Sequence, residues 1–299
     1  MIQTGIFTGY FPYGLRETAS KIRQLGFNTI QLDVGFKDMD LNHLDDAKCK
    51  AIRDTFRFYN LPICCISGYT NLVHPNLEIR TERINRLKMI IKHANKLGSP
   101  YVISETGTFN PDSDWVHHPR NKTEEGYSEC REIIRELVEY AAQYNVFFCV
   151  ESYVNNVIGT VDETLRLFKE LNHPNLKLLM DPTNYFNEHN IGQMDKELNH
   201  IFDALEDRIS IAHAKDVKLA KSDQGVQMVD IDADEAHSLR AVGMIELPSA
   251  GLGVLNYNIY LKRLAFKHPN IPLIIEHLSE DDVPRAKAFL DRILMKEGI

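Results

Sequence analysis

Four apolar runs in the second half of the chain each close on a residue that binds metals or moves protons. Phe148-Cys-Val leads to Glu151, Leu179-Met to Asp181, Ile211-Ala to His213, and Ile274-Ile to Glu276. Three carboxylates and an imidazole form a ligand set that Mn²⁺, Mg²⁺, Co²⁺ and Zn²⁺ all accept. Gathered without a cation, the three acids would repel one another, so one divalent metal ion also accounts for their company. A single charged residue after an apolar run is ordinarily a solvated strand end. Four consecutive runs that all end on ligand types form a different pattern.

The elements behind these residues are legible as a repeat. Eight short runs are apolar at nearly every position: Gln3–Thr8, Thr29–Asp33, Ile63–Ser67, Tyr101–Glu105, Val146–Glu151, Lys177–Asp181, Ile209–His213 and Leu273–Glu276. Strands without polar alternation are those covered on both faces, as in parallel sheets. Helical stripes lie between them. Leu15, Ala19, Ile22 and Leu25 make the first, ended by Gly26. Ile84, Leu87, Ile90, Ile91, Ala94 and Leu97 make another, ended by Gly98. Thr160 and Glu163 have the spacing of a capping box. Eight such alternations predict an α/β fold of the (β/α)8 TIM barrel type, whose chemistry lies at the C-terminal strand ends. The interval between the seventh and eighth runs is about twice the usual unit. The surplus, about Val217 to Leu252, is expected as an insertion between strands seven and eight. An open doubly wound sheet is the other fold considered, but no glycine-rich phosphate loop follows the first strand. No linker-like stretch divides the chain, so residues 1–299 are expected as a single domain.

Composition narrows the partners. Acids outnumber Lys and Arg by 42 to 34, a net charge of −8, which disfavours nucleic acid or an anionic membrane as the main partner. The start lacks the basic and apolar regions of a leader, and no apolar run approaches a membrane span. The five cysteines, at 49, 64, 65, 130 and 149, have no CxxC spacing. Reduced thiols and a cytoplasmic location are the expectation.

Together the motifs resemble the xylose isomerase-like TIM barrel superfamily, which holds sugar and sugar-phosphate isomerases and epimerases, inosose dehydratases and endonuclease IV. Leu25-Gly-Phe-Asn-Thr-Ile-Gln-Leu-Asp33 resembles the family's strand-two segment, with Asp33 where Glu is common. Ser104-Glu-Thr-Gly-Thr108, Val150-Glu-Ser152, Met180-Asp-Pro-Thr-Asn184, His213-Ala-Lys-Asp216, Pro248-Ser-Ala-Gly-Leu-Gly253 and Ile275-Glu-His277 follow in the family's order. The resemblance implies that Glu151, Asp181, His213 and Glu276 are the metal ligands. It also implies that Glu151 and Glu276 exchange protons with opposite sides of a bound sugar. The chemistry is consistent: a metal on the carbonyl and hydroxyl oxygens stabilises an enediolate, and a carboxylate removes and returns the proton. Return on the opposite face gives epimerisation; return to the neighbouring carbon gives isomerisation.

The sequence departs from the pattern it resembles at two of these places. Asn184 stands where several have histidine, and Lys215-Asp216 stand where epimerases often have arginine. Both Asn184 and Lys215 are expected to bind substrate, as are Glu105, Tyr69 and His74 near the ends of strands four and three. Trp115, His117, His118 and Arg120 occupy a polar stretch after strand four. Asp230, Asp232 and Asp234 read as a solvated acidic loop, since the glycine and terminal glutamate of a calcium loop are missing. The expected function is a metal-dependent sugar or sugar-phosphate isomerase or epimerase. The alternatives are an inosose-type dehydratase on the same site, a non-catalytic sugar-binding barrel and an endonuclease IV-like phosphodiesterase. The expected partner is a small sugar or sugar phosphate, with a homo-oligomer left open.

Overall fold

In a computed structural model, eight parallel strands close into a barrel. The structure describes residues 1–33, 35–39, 43–220, 239–242 and 244–299, the short segment 239–242 by its backbone only. The barrel strands are β1 (Gln3–Phe7), β2 (Thr29–Leu32), β3 (Ile63–Ser67), β4 (Tyr101–Glu105), β5 (Phe147–Glu151), β6 (Leu176–Met180), β7 (Ile209–Ala214) and β11 (Pro272–Ile275). Their order around the ring is β1-β11-β7-β6-β5-β4-β3-β2. The helices are α1 (Leu15–Gln24), α2 (Asp46–Phe58), α3 (Leu77–Leu97), α4 (Glu124–Gln143), α5 (Val161–Leu171), α6 (Met194–Leu205), α7 (Tyr257–Lys267) and α8 (Val283–Glu297). All eight expected runs are strands, with ends shifted by no more than one residue.

The expected stops act as stops. Gly98 ends α3 at φ 109°, a left-handed conformation that a residue without a Cβ adopts cheaply. Thr160 and Glu163 cap α5 reciprocally: the hydroxyl accepts the Glu163 N–H, and the carboxylate accepts the Thr160 N–H. Thr160→Ala is therefore expected to cost about 1 kcal/mol, read as a shifted urea midpoint at unchanged slope.

Between β7 and β11 the described residues include a small sheet. Strands β8 (Lys218–Leu219), β9 (Leu239–Val242) and β10 (Ile245–Pro248) pair antiparallel in the order β8-β10-β9. Asp230, Asp232 and Asp234 lie outside the described residues. Among the described residues no helix is long and apolar enough to cross a membrane.

Two apolar cores result. One is the layer between strands and helices, with Phe27, Phe56, Phe148 and Phe202 buried in it. The other fills the barrel itself with Cys65, Ile103, Cys149, Leu179, Ile211 and Ile274. Side chains two residues apart on a strand share a face. Two residues on from Cys149, Leu179, Ile211 and Ile274 stand Glu151, Asp181, His213 and Glu276. Strand periodicity alone thus lifts the four polar groups above a dry floor.

Candidate metal centre

The four strand ends converge. Glu151, Asp181, His213 and Glu276 are all buried, and each offers one ligand atom within 4.8 Å of the others. His213 Nδ1 lies 3.2 Å from Glu276 Oε2, 3.6 Å from Glu151 Oε1 and 3.7 Å from Asp181 Oδ2.

Local structure sets each group. Asp181 caps the short 3₁₀ turn Pro182–Tyr185; its Oδ1 accepts the Thr183 N–H at 3.1 Å and the Thr183 hydroxyl at 2.6 Å. That leaves Oδ2 to face the centre. Glu151 is oriented from two sides: Tyr69 Oη donates to Oε2 at 2.6 Å and Asn184 Nδ2 donates to Oε1 at 2.7 Å. Strand β7 is bolted down by tyrosines of α7, whose hydroxyls donate to carbonyls: Tyr260 to His213 at 2.7 Å and Tyr257 to Lys215 at 2.8 Å. Beyond Glu276 the chain leaves β11 through His277 at φ 57°, an unfavourable conformation for a residue with a Cβ. It is held there by Tyr10 Oη, which accepts the His277 N–H at 2.7 Å.

Lys215 completes the arrangement. Its ammonium, 3 % exposed, lies 2.8 Å from Asp181 Oδ2 and donates to Asn184 Oδ1 at 2.8 Å. Burial works against every charge here, yet the mutual attractions win. Asp181 is held well below the usual carboxylate range by Lys215 and His213, against its burial. Glu276 is lowered by His213 and Lys215, again against burial. Burial opposes charge on His213 as well, but Glu276 and Glu151 raise it well above the usual imidazole value.

These residues fit a divalent cation. Asp181 Oδ2 and His213 Nδ1 are buried and make no well-directed hydrogen bond, although charged neighbours lie close. Three carboxylates against one ammonium leave two negative charges uncompensated, which a divalent ion balances with His213 neutral. Hard oxygens with one nitrogen suit Mg²⁺, Mn²⁺, Co²⁺ or Zn²⁺.

The other expected site residues separate. Tyr69, Asn184 and Lys215 touch the cluster, as above. Glu105 is buried at the end of β4, in register with Glu151. His74 is not among the residues brought to the cluster: its Nδ1 accepts the Asn76 N–H at 3.1 Å, in the turn entering α3. Trp115 packs edge-on against Tyr153, and Arg120 pairs with Glu125 and Glu129. On β2 the interior position belongs to Gln31, fully buried, rather than to Asp33 at the strand's end. Gln31 was not anticipated. Its signal in the sequence is a lone amide in an apolar strand, two residues before the polar rim.

A closed ring of eight parallel strands with acids and a histidine at its C-terminal mouth defines a class. The chain belongs to the xylose isomerase-like TIM barrel family, whose model matches residues 19–293. No curated protein sequence matches it. Solved structures are similar in fold. One is the probable 3-DHS dehydratase AsbF of Bacillus anthracis, involved in petrobactin synthesis: TM-score 0.74, 17% identity, 99% of each chain covered. Another is 3-keto-D-glucoside 4-epimerase from E. coli: TM-score 0.67, 15% identity, 99% of this chain and 100% of that one. A third is a xylose isomerase-like TIM barrel protein from Mycobacterium smegmatis in complex with magnesium: TM-score 0.67, 17% identity, 98% and 95%.

Proposed function

We propose that the chain is a divalent-metal-dependent isomerase or epimerase of a sugar or sugar phosphate. Glu151, Asp181, His213 and Glu276 would hold the ion. The convergence of these four buried groups within 4.8 Å carries the reading, and epimerases among the structures of similar fold support it. The ion supplies Lewis acidity toward a carbonyl oxygen.

The residues then divide the work. Glu151 and Glu276 take and return the proton on the carbon beside the carbonyl. Tyr69 and Asn184 hold the Glu151 carboxylate in one orientation. Lys215 keeps an N–H for a substrate hydroxyl or oxyanion, and Glu105 lines the mouth beside Tyr69. His74 steadies the loop behind Tyr69 rather than touching the sugar. Residues 1–299 form one domain on this reading. The net charge of −8 and the free cysteines fit a small-molecule enzyme of a reducing, cytoplasmic setting.

A dehydratase is the second reading. On this reading the ammonium of Lys215, beside Asp181, would protonate a departing hydroxyl, and a probable dehydratase stands among the similar folds. One experiment separates the two. The Mn²⁺-loaded protein is incubated in D₂O with a panel of ketoses, ketose phosphates and keto-polyols. Deuterium beside the carbonyl with the oxygen count retained supports the isomerase or epimerase. Loss of water supports the dehydratase. A protein that binds no divalent ion and turns over no panel member would sink both.

A further inference from the structure

Gln31 brings a side-chain amide into the barrel interior with no exposed surface. It makes four contacts. Its amide nitrogen donates to Ser67 Oγ at 3.1 Å and to Glu276 Oε1 at 3.4 Å. Its oxygen lies 2.8 Å from His213 Nε2 and accepts the Cys65 thiol at 3.7 Å. These contacts determine the amide's orientation. A carboxylate only accepts, so the end facing Glu276 is the NH₂, and the end facing His213 is the oxygen. An amide oxygen in turn only accepts, so His213 Nε2 carries a proton. Nδ1 is then the nitrogen that gives up its proton when a cation binds and offers the lone pair, and it is the one that faces Glu276, Glu151 and Asp181 at 3.2, 3.6 and 3.7 Å.

We propose that Gln31 is a positioning residue of the metal centre: it fixes His213 as the Nε2–H form, aims Nδ1 at the cation, and anchors Glu276 through the other end of the same amide. The inference rests on the proposed ligand set. One side chain thereby sets the geometry of two ligands from two different strands, β7 and the end of β11. The neutral amide also matters. A carboxylate in this place would add a fourth acid beside three; the amide oxygen accepts the hydrogen bond of the histidine N–H without raising the negative charge of the site. Partners behind a ligating histidine typically change metal affinity by about 10–100-fold when removed.

The test uses the full chain. Gln31→Met keeps length and removes both donor and acceptor. Mn²⁺ titration calorimetry is expected to show affinity weakened by about 10–100-fold, with the circular dichroism spectrum unchanged. Imidazole ¹⁵N spectra of the Zn²⁺-loaded wild type are expected to show a protonated Nε2 and a metal-shifted Nδ1. In the metal-free wild type the Nε2 proton is expected to be slow to exchange, and in Gln31→Met to exchange freely. Unchanged Mn²⁺ affinity in Gln31→Met, or zinc on Nε2, overturns the proposal. Should the variant fail to fold, the wild-type spectra still decide. Should the wild type bind no divalent ion, the ligand set falls instead, and the metal-free exchange rate alone judges the Gln31–His213 bond.

Discussion

Glu276→Gln is expected to lower turnover by about three orders of magnitude or more while the barrel stays folded. The variant removes a buried charge and its repulsion from Asp181, but it gives up the stronger attractions to His213 and Lys215, so some stability of the metal-free fold goes with the activity. What disappears is the negative oxygen that faces His213 Nδ1 and, on the proposed mechanism, accepts the substrate proton. Glu151→Gln should behave alike, since its two oxygens are already committed to donors, Tyr69 and Asn184, and a Gln amide would set an NH₂ against one of them. Deuterium incorporation into the identified substrate reads the activity, and circular dichroism reads the fold. Full activity in both variants would falsify the assignment of these glutamates as proton carriers.

Asp216→Ala should be strongly destabilising although it lies outside the metal cluster, costing about 3 kcal/mol or more. The carboxylate is 1 % exposed and serves as an internal cap. Its Oδ1 accepts the N–H groups of Val217 and Leu255 at 2.9 Å, and its Oδ2 accepts that of Gly251 at 2.9 Å, with Gly253 joining them. Burial pushes this carboxyl up, and the backbone donors pull it back. Alanine leaves those donors buried without an acceptor, which costs each of them its hydration. The loss should appear as a Tm lowered by about 6 °C or more. Mn²⁺ affinity should fall with it, because the same loop leads into α7, whose tyrosines hold the carbonyls of His213 and Lys215. A variant as stable as the wild type would show that the loop does not depend on this cap. Asp216→Asn, which keeps one acceptor oxygen, should lose less.

The barrel was legible because parallel strands buried on both faces leave an unbroken apolar run, and eight of them at regular spacing admit few folds. The proposed ligands were legible for the same reason: each ends such a run. Lys215 and Asn184 came with them, two residues beyond His213 and three beyond Asp181. The place of the insertion followed from spacing, but its sheet did not, since its strands are two to four residues long and carry little periodicity. Gln31 was illegible for another reason. Its meaning lies in His213, 182 residues away, and only closure of the ring brings them together. Tyr69 and His74 look equivalent in sequence, five residues apart in one loop. The path of that loop separates them, turning one hydroxyl to Glu151 and one imidazole to the backbone of Asn76.

The four convergent groups come from β5, β6, β7 and β11, which are consecutive neighbours around the ring. The opposite arc, β1 to β4, adds Gln31, Tyr69 and Glu105 around them. On the proposed reading the wall is split into a half that carries the ligands and a half that steadies them through Gln31 and Tyr69 and whose outer loops would meet the substrate. Such a division makes the protein a favourable starting point for changing selectivity. The connections after β1 and β4 can be exchanged or randomised together, with Gln31, Tyr69 and the arc that carries the acids and the histidine left as a constant chassis.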